Sequence, residues 1–432
     1  MEWLFIGIIA VIVYALVAGY IKYSHIWEDH ITFYGPILAL KTEKVGFFDY
    51  FRRQAGFWRG YGTLGAILVV VISVLMSALL VLGVYSSLMN PPAPEGIYEP
   101  QNILAIPGVN DFIPITYAVI IAFFITLLVH EFGHAILCRV EDIRVKSTGI
   151  LFAVIPIGAF VEPDEEEVEN APRPSKIRMY GAGITNNLVV ALVCFVAIVG
   201  LMGMATPLST PIVKGVYVGY PADLSGISPD SVISAVDGVP VESVHDVSDI
   251  LQTTAPGDTL SVTTLKDGMY SDYSLVLEEW PKDLSNKTSG FMGVVYYSPE
   301  SAQLAFNTFV KSPIGPLLLL YVPINTVIDD DSLNLGILAF DVAYAEMWDV
   351  PFSGFWGVVQ VLFWTFWFNL AVGTFNALPF IPLDGGYIMQ EGVTGILEKR
   401  GRKDLVPFVV SLISSFMVAV MLLLLVIPYI FG

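Results

Sequence analysis

Six windows of this 432-residue chain are apolar for long enough to cross a bilayer as helices, at about residues 3–22, 62–84, 114–138, 179–204, 354–380 and 406–430. Inside lipid every backbone amide must find its partner within the protein, so such windows are restricted to helices. Charged residues are only 14% of the chain, against roughly a quarter in soluble domains. The expected fold is a polytopic α-helical membrane protein with about six transmembrane helices, multi-pass in the cell membrane and in contact with the lipid bilayer. A seventh stretch, 313–328, is short and interrupted by Pro313, Pro316 and Pro323, which remove backbone donors that lipid cannot replace.

Loop charges give the expected orientation. The loop from Lys22 to Gly60 carries Lys41, Lys44, Arg52, Arg53 and Arg59, which marks it as cytoplasmic, whereas residues 85–114 hold no Lys or Arg. Arg139, Arg144, Lys146, Arg173, Lys176 and Arg178 put the next loop inside, as do Lys399, Arg400, Arg402 and Lys403 for the last one. Residues 329–352 have six acids and no base, so both flanks of 313–328 lie outside and that stretch is re-entrant or surface-lying. Both termini are then outside. The acidic start of the first window and its lack of a small-residue cleavage site favour a retained helix over a signal peptide. Cys138 and Cys194 both sit in apolar stretches, which excludes a secreted disulfide framework.

Residues 207–300 differ in kind. Short β-rich pieces alternate with turn signals: GVYV at 215–218, SVISAVDG at 231–238, and TLSVTTL joined through Lys266-Asp267-Gly268 to YSLVLE as a hairpin, with a short helix around 246–253. The segment GYPADLSGISPDSVISAVDGVPV resembles the core of a PDZ domain, which implies a small inserted α/β domain that binds an extended peptide or a C-terminal end at a sheet edge. An unspecialised β-rich ectodomain is the alternative. The expected order is 1–113, N-terminal helices and cytoplasmic loop; 114–206, first half of a membrane core; 207–300, the PDZ-like extracytoplasmic domain; 301–352, re-entrant or surface segment and acidic loop; and 353–432, second half of the core.

Chemistry concentrates in His130-Glu131-Phe132-Gly133-His134, inside the third window. Residues i and i+4 of a helix are about 40° apart around its axis, so the two imidazoles can reach one Zn²⁺. Glu131 beside them is placed to take a proton from a hydrolytic water. Two histidines satisfied by helix neighbours are the bland alternative, but ionisable groups at bilayer depth are costly and usually functional. A third ligand is Cys138, one more i+4 step along, or Asp384, in NALPFIPLDGG; Pro379 and Pro382 break the helix there, and Gly385 and Gly386 loosen the backbone after the acid. The loop charges place Asp384 at the same depth as the histidines.

HEFGH in a membrane helix, GTFNALPFIPLDGG in a later one and an inserted PDZ-like segment together resemble the site-2 protease family of intramembrane zinc metalloproteases, over about two-thirds of the chain. The resemblance implies one Zn²⁺ per chain on His130, His134 and Asp384, Glu131 as the catalytic base, and a transmembrane substrate protein cut near the cytoplasmic side. It also points to Gly181-Ala182-Gly183-Ile184-Thr185-Asn186, where the family has Gly-Pro-x-x-Asn and Ile184 replaces the proline. Asn186 and Asn376 become candidates for holding substrate backbone or an oxyanion, with helix–helix hydrogen bonding as their alternative. Ile155–Val161, including Gly158, Ala159 and Phe160, resembles the family's membrane-associated β-segment, which offers a strand edge to an unwound substrate; a structural hairpin is the alternative. Asp164–Glu167 reads as a solvated face.

Two other functions fit parts of this pattern. A non-proteolytic adaptor with a structural zinc would need no base at Glu131, and a metal transporter would carry more polar residues along its helices. The net charge of −19 excludes nucleic acid as the default partner. Residues 205–352 hold 19 Asp and Glu against 5 Lys and Arg, so the acid excess belongs mainly to the segment expected outside rather than to a metal site.

Overall fold

The computed structural model describes residues 2–27, 30–102, 105–153, 155–328 and 334–432; residues 329–333, the start of the expected acidic loop, lie outside that set. The chain forms two compact units, Met1–Phe195 with Trp364–Gly432, and Val196–Phe363. In chain order, α1 (Glu2–Ser24) precedes a hairpin of β1 (Ile31–Tyr34) and β2 (Ile37–Thr42), and a 3-10 segment leads into α2 (Ala55–Met89). α3 (Tyr117–Val140) is followed by β3 (Val145–Ala153), β4 (Ile155–Pro163), the short α4 (Glu165–Asn170) and α5 (Arg173–Met202).

Five helices among the described residues are long and apolar enough to span a membrane: Gly46–Met89, Tyr117–Val140, Arg173–Met202, Phe355–Asn376 and Lys403–Phe431. The window expected at 3–22 falls on α1, whose side chains at 1–8 and 10 lie outside the described set; its remaining apolar part, Val11–Ser24, is shorter than a span. α3 starts where Thr116 Oγ1 accepts from the Val119 N–H, a local N-cap.

β1 to β4 form one antiparallel sheet in that order, with Leu40 opposite Ile150, Gly149 opposite Phe160 and Thr148 opposite Val161. The loop at 22–60, read from sequence only through its charge, therefore supplies two of the four strands. Its signal was ITFY and ILALKT flanking Gly35-Pro36. β4 ends the order and, among the described residues, keeps one edge unpaired by any strand.

In the second unit, β5 (Thr206–Pro207), β6 (Val213–Val216), α6 (Pro221–Ser225), β7 (Val232–Val236), β8 (Val239–Pro240) and α7 (Val244–Gln252) precede the hairpin β9 (Thr259–Lys266) and β10 (Met269–Val276), then β11 (Val294–Tyr296). β10-β9-β7-β8 form one sheet and β11 pairs with β6. Asp267 and Gly268 turn the hairpin with φ of 51° and 76°, the two left-handed residues that a two-residue turn requires. Strand β6 lies two residues before the expected GVYV, because Tyr217–Tyr220 close a turn instead. Ser243 and Asp246 form a capping box on α7. Val213, Ile233, Val236, Val247, Leu260, Val262 and Leu275 build the buried core. Residues 301–352 belong to this unit: α8 (Pro299–Lys311), α9 (Gly315–Leu319), α10 (Val322–Ile328) and β12 (Trp348–Asp349), which pairs with β5. The apolar stretch expected at 313–328 thus forms two short helices.

The chain then enters α11 (Phe355–Asn376), α12 (Asp384–Lys399) and α13 (Val406–Phe431). α12 replaces what the charge pattern suggested was a loop. Arg173 pairs with Glu391 at 3.7 Å and with Glu398, and Lys176 with Glu391 at 3.6 Å, which fastens α12 to α5. Tyr387 stacks on Tyr180 of α5 at 4.9 Å. A second knot closes the end of α3. Glu141, with its side chain only 3% exposed, accepts from Arg178 Nε at 2.7 Å and from Ser175 Oγ at 2.6 Å, with Arg59 at 3.5 Å.

Burial works against the Glu141 carboxylate, but the hydrogen bonds from Arg178 and Ser175 and the charges of Arg178 and Arg59 outweigh it and hold its pKa below the ordinary value. Directly after β4, the Arg144 hydrogen bond holds Asp164 down to about 2. A carboxylate depressed in the folded state contributes stability above its unfolded pKa of about 4 and loses it as pH falls further. Thermal unfolding in detergent should therefore show stability constant above about pH 5 and declining below pH 4. Arg178→Met should lower stability by about 1 to 3 kcal/mol at pH 7 by leaving Glu141 with only Ser175 and the more distant Arg59, and flatten the acid decline. An unchanged acid slope would contradict the knot's role.

Candidate metal centre

α3 presents His130, Glu131 and His134 on its last turns, and α12 begins with Asp384. Pro379 and Pro382 separate α11 from α12, so the chain turns back and delivers Asp384 at a helix N-terminus, where a carboxylate is favoured. Gly385 and Gly386 act differently from the expectation that they loosen the backbone. They are buried in the first turn of α12, and a Cβ at Gly385 would lie 2.2 Å from the Ala377 carbonyl oxygen. The pair permits tight folding-back rather than freedom.

The three groups converge. His130 Nε2 lies 3.2 Å from Asp384 Oδ2, His134 Nε2 lies 3.3 Å from the same oxygen, and the two Nε2 atoms are 3.2 Å apart. His134 Nδ1 donates to the Met179 carbonyl at 2.9 Å, which in the neutral ring leaves a lone pair on its Nε2. Asp384 Oδ2 is buried and has no hydrogen-bond donor. Three acceptors meeting without a donor repel one another unless a cation lies between them. Their spacing matches the edge of a tetrahedron with arms of about 2.0 Å, roughly 3.3 Å, which is what Zn²⁺ takes with nitrogen and oxygen ligands. Among the described residues these are the His, Cys, Asp and Glu side chains grouped closely enough to share an ion. Cys138 is not among them. It is fully buried against Ile143, Val145 and Met179, as an apolar residue.

The wall behind the ligands is Gly183. A Cβ there would stand 2.5 Å from His134 Nε2 and 2.7 Å from His130 Cε1, inside the ligand space. Gly133 does the reciprocal work on α3: its Cβ would meet the Ala182 carbonyl oxygen at 2.5 Å, so the two helices touch through backbone. Counted from Gly183, the Gly-x-x-x-Asn spacing reaches Asn187, one residue later than the Asn186 taken from sequence. Asn187 is fully buried with its amide 3.3 Å from His130 Nδ1, and its Oδ1 has no other partner. Turned to present Oδ1, the amide accepts the Nδ1 proton and leaves His130 Nε2 as a lone-pair ligand.

Asn186 instead accepts from Tyr61 Oη at 2.6 Å and donates to the Val129 carbonyl at 3.1 Å, so both ends of its amide join helices. Asn376, half-buried at the end of α11, makes no side-chain hydrogen bond among the described residues. Buried Asn369 of α11 reaches Thr126 Oγ1 at 2.7 Å, one turn before His130. Such bonds contribute about 0.6 kcal/mol each in membranes, so this one fixes register more than stability.

β4 runs beside the centre. Glu131 Oε2 accepts from the Val161 N–H at 2.9 Å, a contact that nothing in the sequence marked. Antiparallel alternation then turns the backbone groups of Val161 and Ala159 toward the unpaired edge, while Gly158 and Phe160 bond back to β3. Of Gly158, Ala159 and Phe160, only Ala159 thus offers its backbone to that edge. Phe160's ring covers Gly149.

Comparison with known proteins adds a decisive match: residues 118–424 fit the sequence profile of peptidase family M50, the site-2 protease family. The chain belongs to that family. It is accordingly a zinc metalloprotease and a multi-pass membrane protein, which sets aside the adaptor and transporter readings. It is similar to an uncharacterised protein of Methanocaldococcus jannaschii, 23% identical over 401 residues, covering 91% of this chain and 87% of that one. It is also similar to a membrane-bound transcription factor site-2 protease homologue of Arabidopsis thaliana, 29% identical over 162 residues, 35% of this chain and 30% of that protein. A Clostridium acetobutylicum protein provisionally named a zinc metalloprotease is 21% identical over 324 residues, 67% of this chain and 90% of its own.

Two substitutions test the ligand cradle. Gly183→Ala should lower zinc affinity at least tenfold, whereas Gly200→Ala, where a Cβ meets open space, should leave it unchanged. Asn187→Ala should cost about ten- to a hundredfold. Competition with a chelator of known affinity reads both, and equal affinities throughout would contradict this cradle.

Proposed function

We propose that this metalloprotease is an intramembrane endopeptidase that hydrolyses peptide bonds in or near transmembrane segments of partner membrane proteins. The observation that carries the proposal is the juxtaposition of three convergent acceptors, a neighbouring carboxylate and an unpaired strand edge on one side of α3. His130, His134 and Asp384 hold one Zn²⁺ per chain, which when bound polarises a peptide carbonyl and makes water more acidic. Glu131 takes the proton from the attacking water and returns it to the departing amine.

A helical substrate hides its scissile carbonyl in its own hydrogen bonds. Pairing with β4 through the backbone groups of Ala159 and Val161 replaces those bonds and holds the segment extended beside Glu131. Asn376 is an amide free to hold a substrate carbonyl; Asn186 serves through helix pairing.

Residues 207–300 act as a PDZ-like module that takes a peptide or newly made C-terminal end. Support comes from the unpaired edge of β11 and the cleft between it and α7, lined by Val247, Leu251, Trp280, Phe291 and Tyr296. The loop charges put this module outside the cell membrane and the metal centre near the cytoplasmic side.

Glu131→Gln should reduce cleavage of a model transmembrane substrate by about a thousandfold while zinc stays bound. Asp384→Ala should lose both zinc and activity. Proteolysis persisting in the Glu131→Gln protein would overturn the assignment of the base.

A further inference from the structure

In this structure the side chain placed to act as the base is tied to the strand placed to receive substrate. Glu131 Oε2 accepts from the Val161 N–H at 2.9 Å, and that N–H belongs to the unpaired edge of β4. Val161 pairs with Thr148 on its other side through a position whose ladder bonds point outward, so Glu131 occupies the place that an added strand's carbonyl would take. A backbone N–H carries one proton and cannot serve both acceptors at full strength.

We propose that Val161 and Glu131 form a substrate-operated latch. In the resting protein the β4 edge holds the Glu131 carboxylate. An extended segment pairing along Ala159 and Val161 takes the Val161 N–H with its own carbonyl, and Glu131 swings free to accept the water proton. The base is thus released only when a peptide lies on the edge, so unpaired segments drifting past the centre meet an engaged carboxylate. Val161 is a positioning residue here, acting through Glu131. The latch rests on the endopeptidase reading and adds to it the coupling between strand pairing and the base.

The test measures binding in proteins that cannot cut, so it is independent of turnover. The probe is a fluorescein-labelled synthetic Leu/Ala transmembrane peptide with a central Asn-Pro break, titrated into zinc-loaded full-length protein in detergent. Glu131→Gln keeps an oxygen that can accept from Val161, while Glu131→Ala keeps none. The latch predicts that the peptide binds the Ala variant about fivefold more tightly than the Gln variant, because pairing no longer has to break a hydrogen bond.

Val161→Pro removes the N–H. β4 already contains Pro156 and Pro163, and an outward-facing edge position loses no ladder bond on substitution. In that background the Ala and Gln variants should bind alike. Equal affinities of the two Glu131 variants would overturn the latch, as would a difference that survives Val161→Pro. If Val161→Pro does not fold, the Ala and Gln comparison still decides. Cleavage of the same peptide by the unsubstituted protein tests the endopeptidase reading separately.

Discussion

Two imidazole nitrogens and a carboxylate oxygen stand 3.2 to 3.3 Å apart, and with each neutral ring carrying its proton on Nδ1 three lone pairs meet there. Left alone in a low-dielectric interior they repel one another, and the surrounding protein must hold them together until a cation makes the arrangement favourable. Much of the membrane unit is explained by that demand. Met179 and Asn187 fix the ring faces, Gly183 and Gly133 let α5 press against α3, and the folded-back turn before α12 carries Asp384 in from a distant part of the chain. The ion pairs of Arg173 and Lys176 and the stacked tyrosines then anchor α12 at a distance from the chemistry.

The sequence was informative where chemistry and periodicity coincide. HEFGH places two imidazoles on one face of any helix, and Pro379 and Pro382 announce that the helix before Asp384 must end, so two of the three converging groups were legible without coordinates and the third was narrowed to Cys138 or Asp384. Five of the six span-length apolar windows coincide with helices long enough to cross a membrane for the same reason: lipid leaves the backbone one solution. The Asp-Gly hairpin in the second unit was legible because its turn needs two left-handed residues.

What stayed hidden depends on which backbone lies behind which side chain. Gly183 looks like any small helix residue until α3 is packed against it, and in sequence Asn187 is indistinguishable from Asn186, since the two differ only in the direction they face. The strands β1 and β2 were masked by the basic residues of their loop, and α12 by its charges, of which Glu391 and Glu398 face Arg173 and Lys176 of α5. Val161 was legible as part of the expected edge strand, but its bond to Glu131 gave no signal, since it is made by a backbone N–H that every residue but proline has. The acid excess proved informative about location rather than catalysis: most of it belongs to the second unit and its flanks, and Glu131 and Asp384 are a small part of the total.

X-ray absorption at the zinc edge, on protein purified with its metal and counted at one ion per chain, tests the central claim most directly. The account predicts two imidazole nitrogens and oxygen donors at about 2.0 Å, with no sulfur shell, and the imidazole scattering of any zinc retained by His134→Ala reduced to that of one ring. A sulfur ligand at about 2.3 Å, or an intact zinc environment in a protein lacking Asp384, would contradict it.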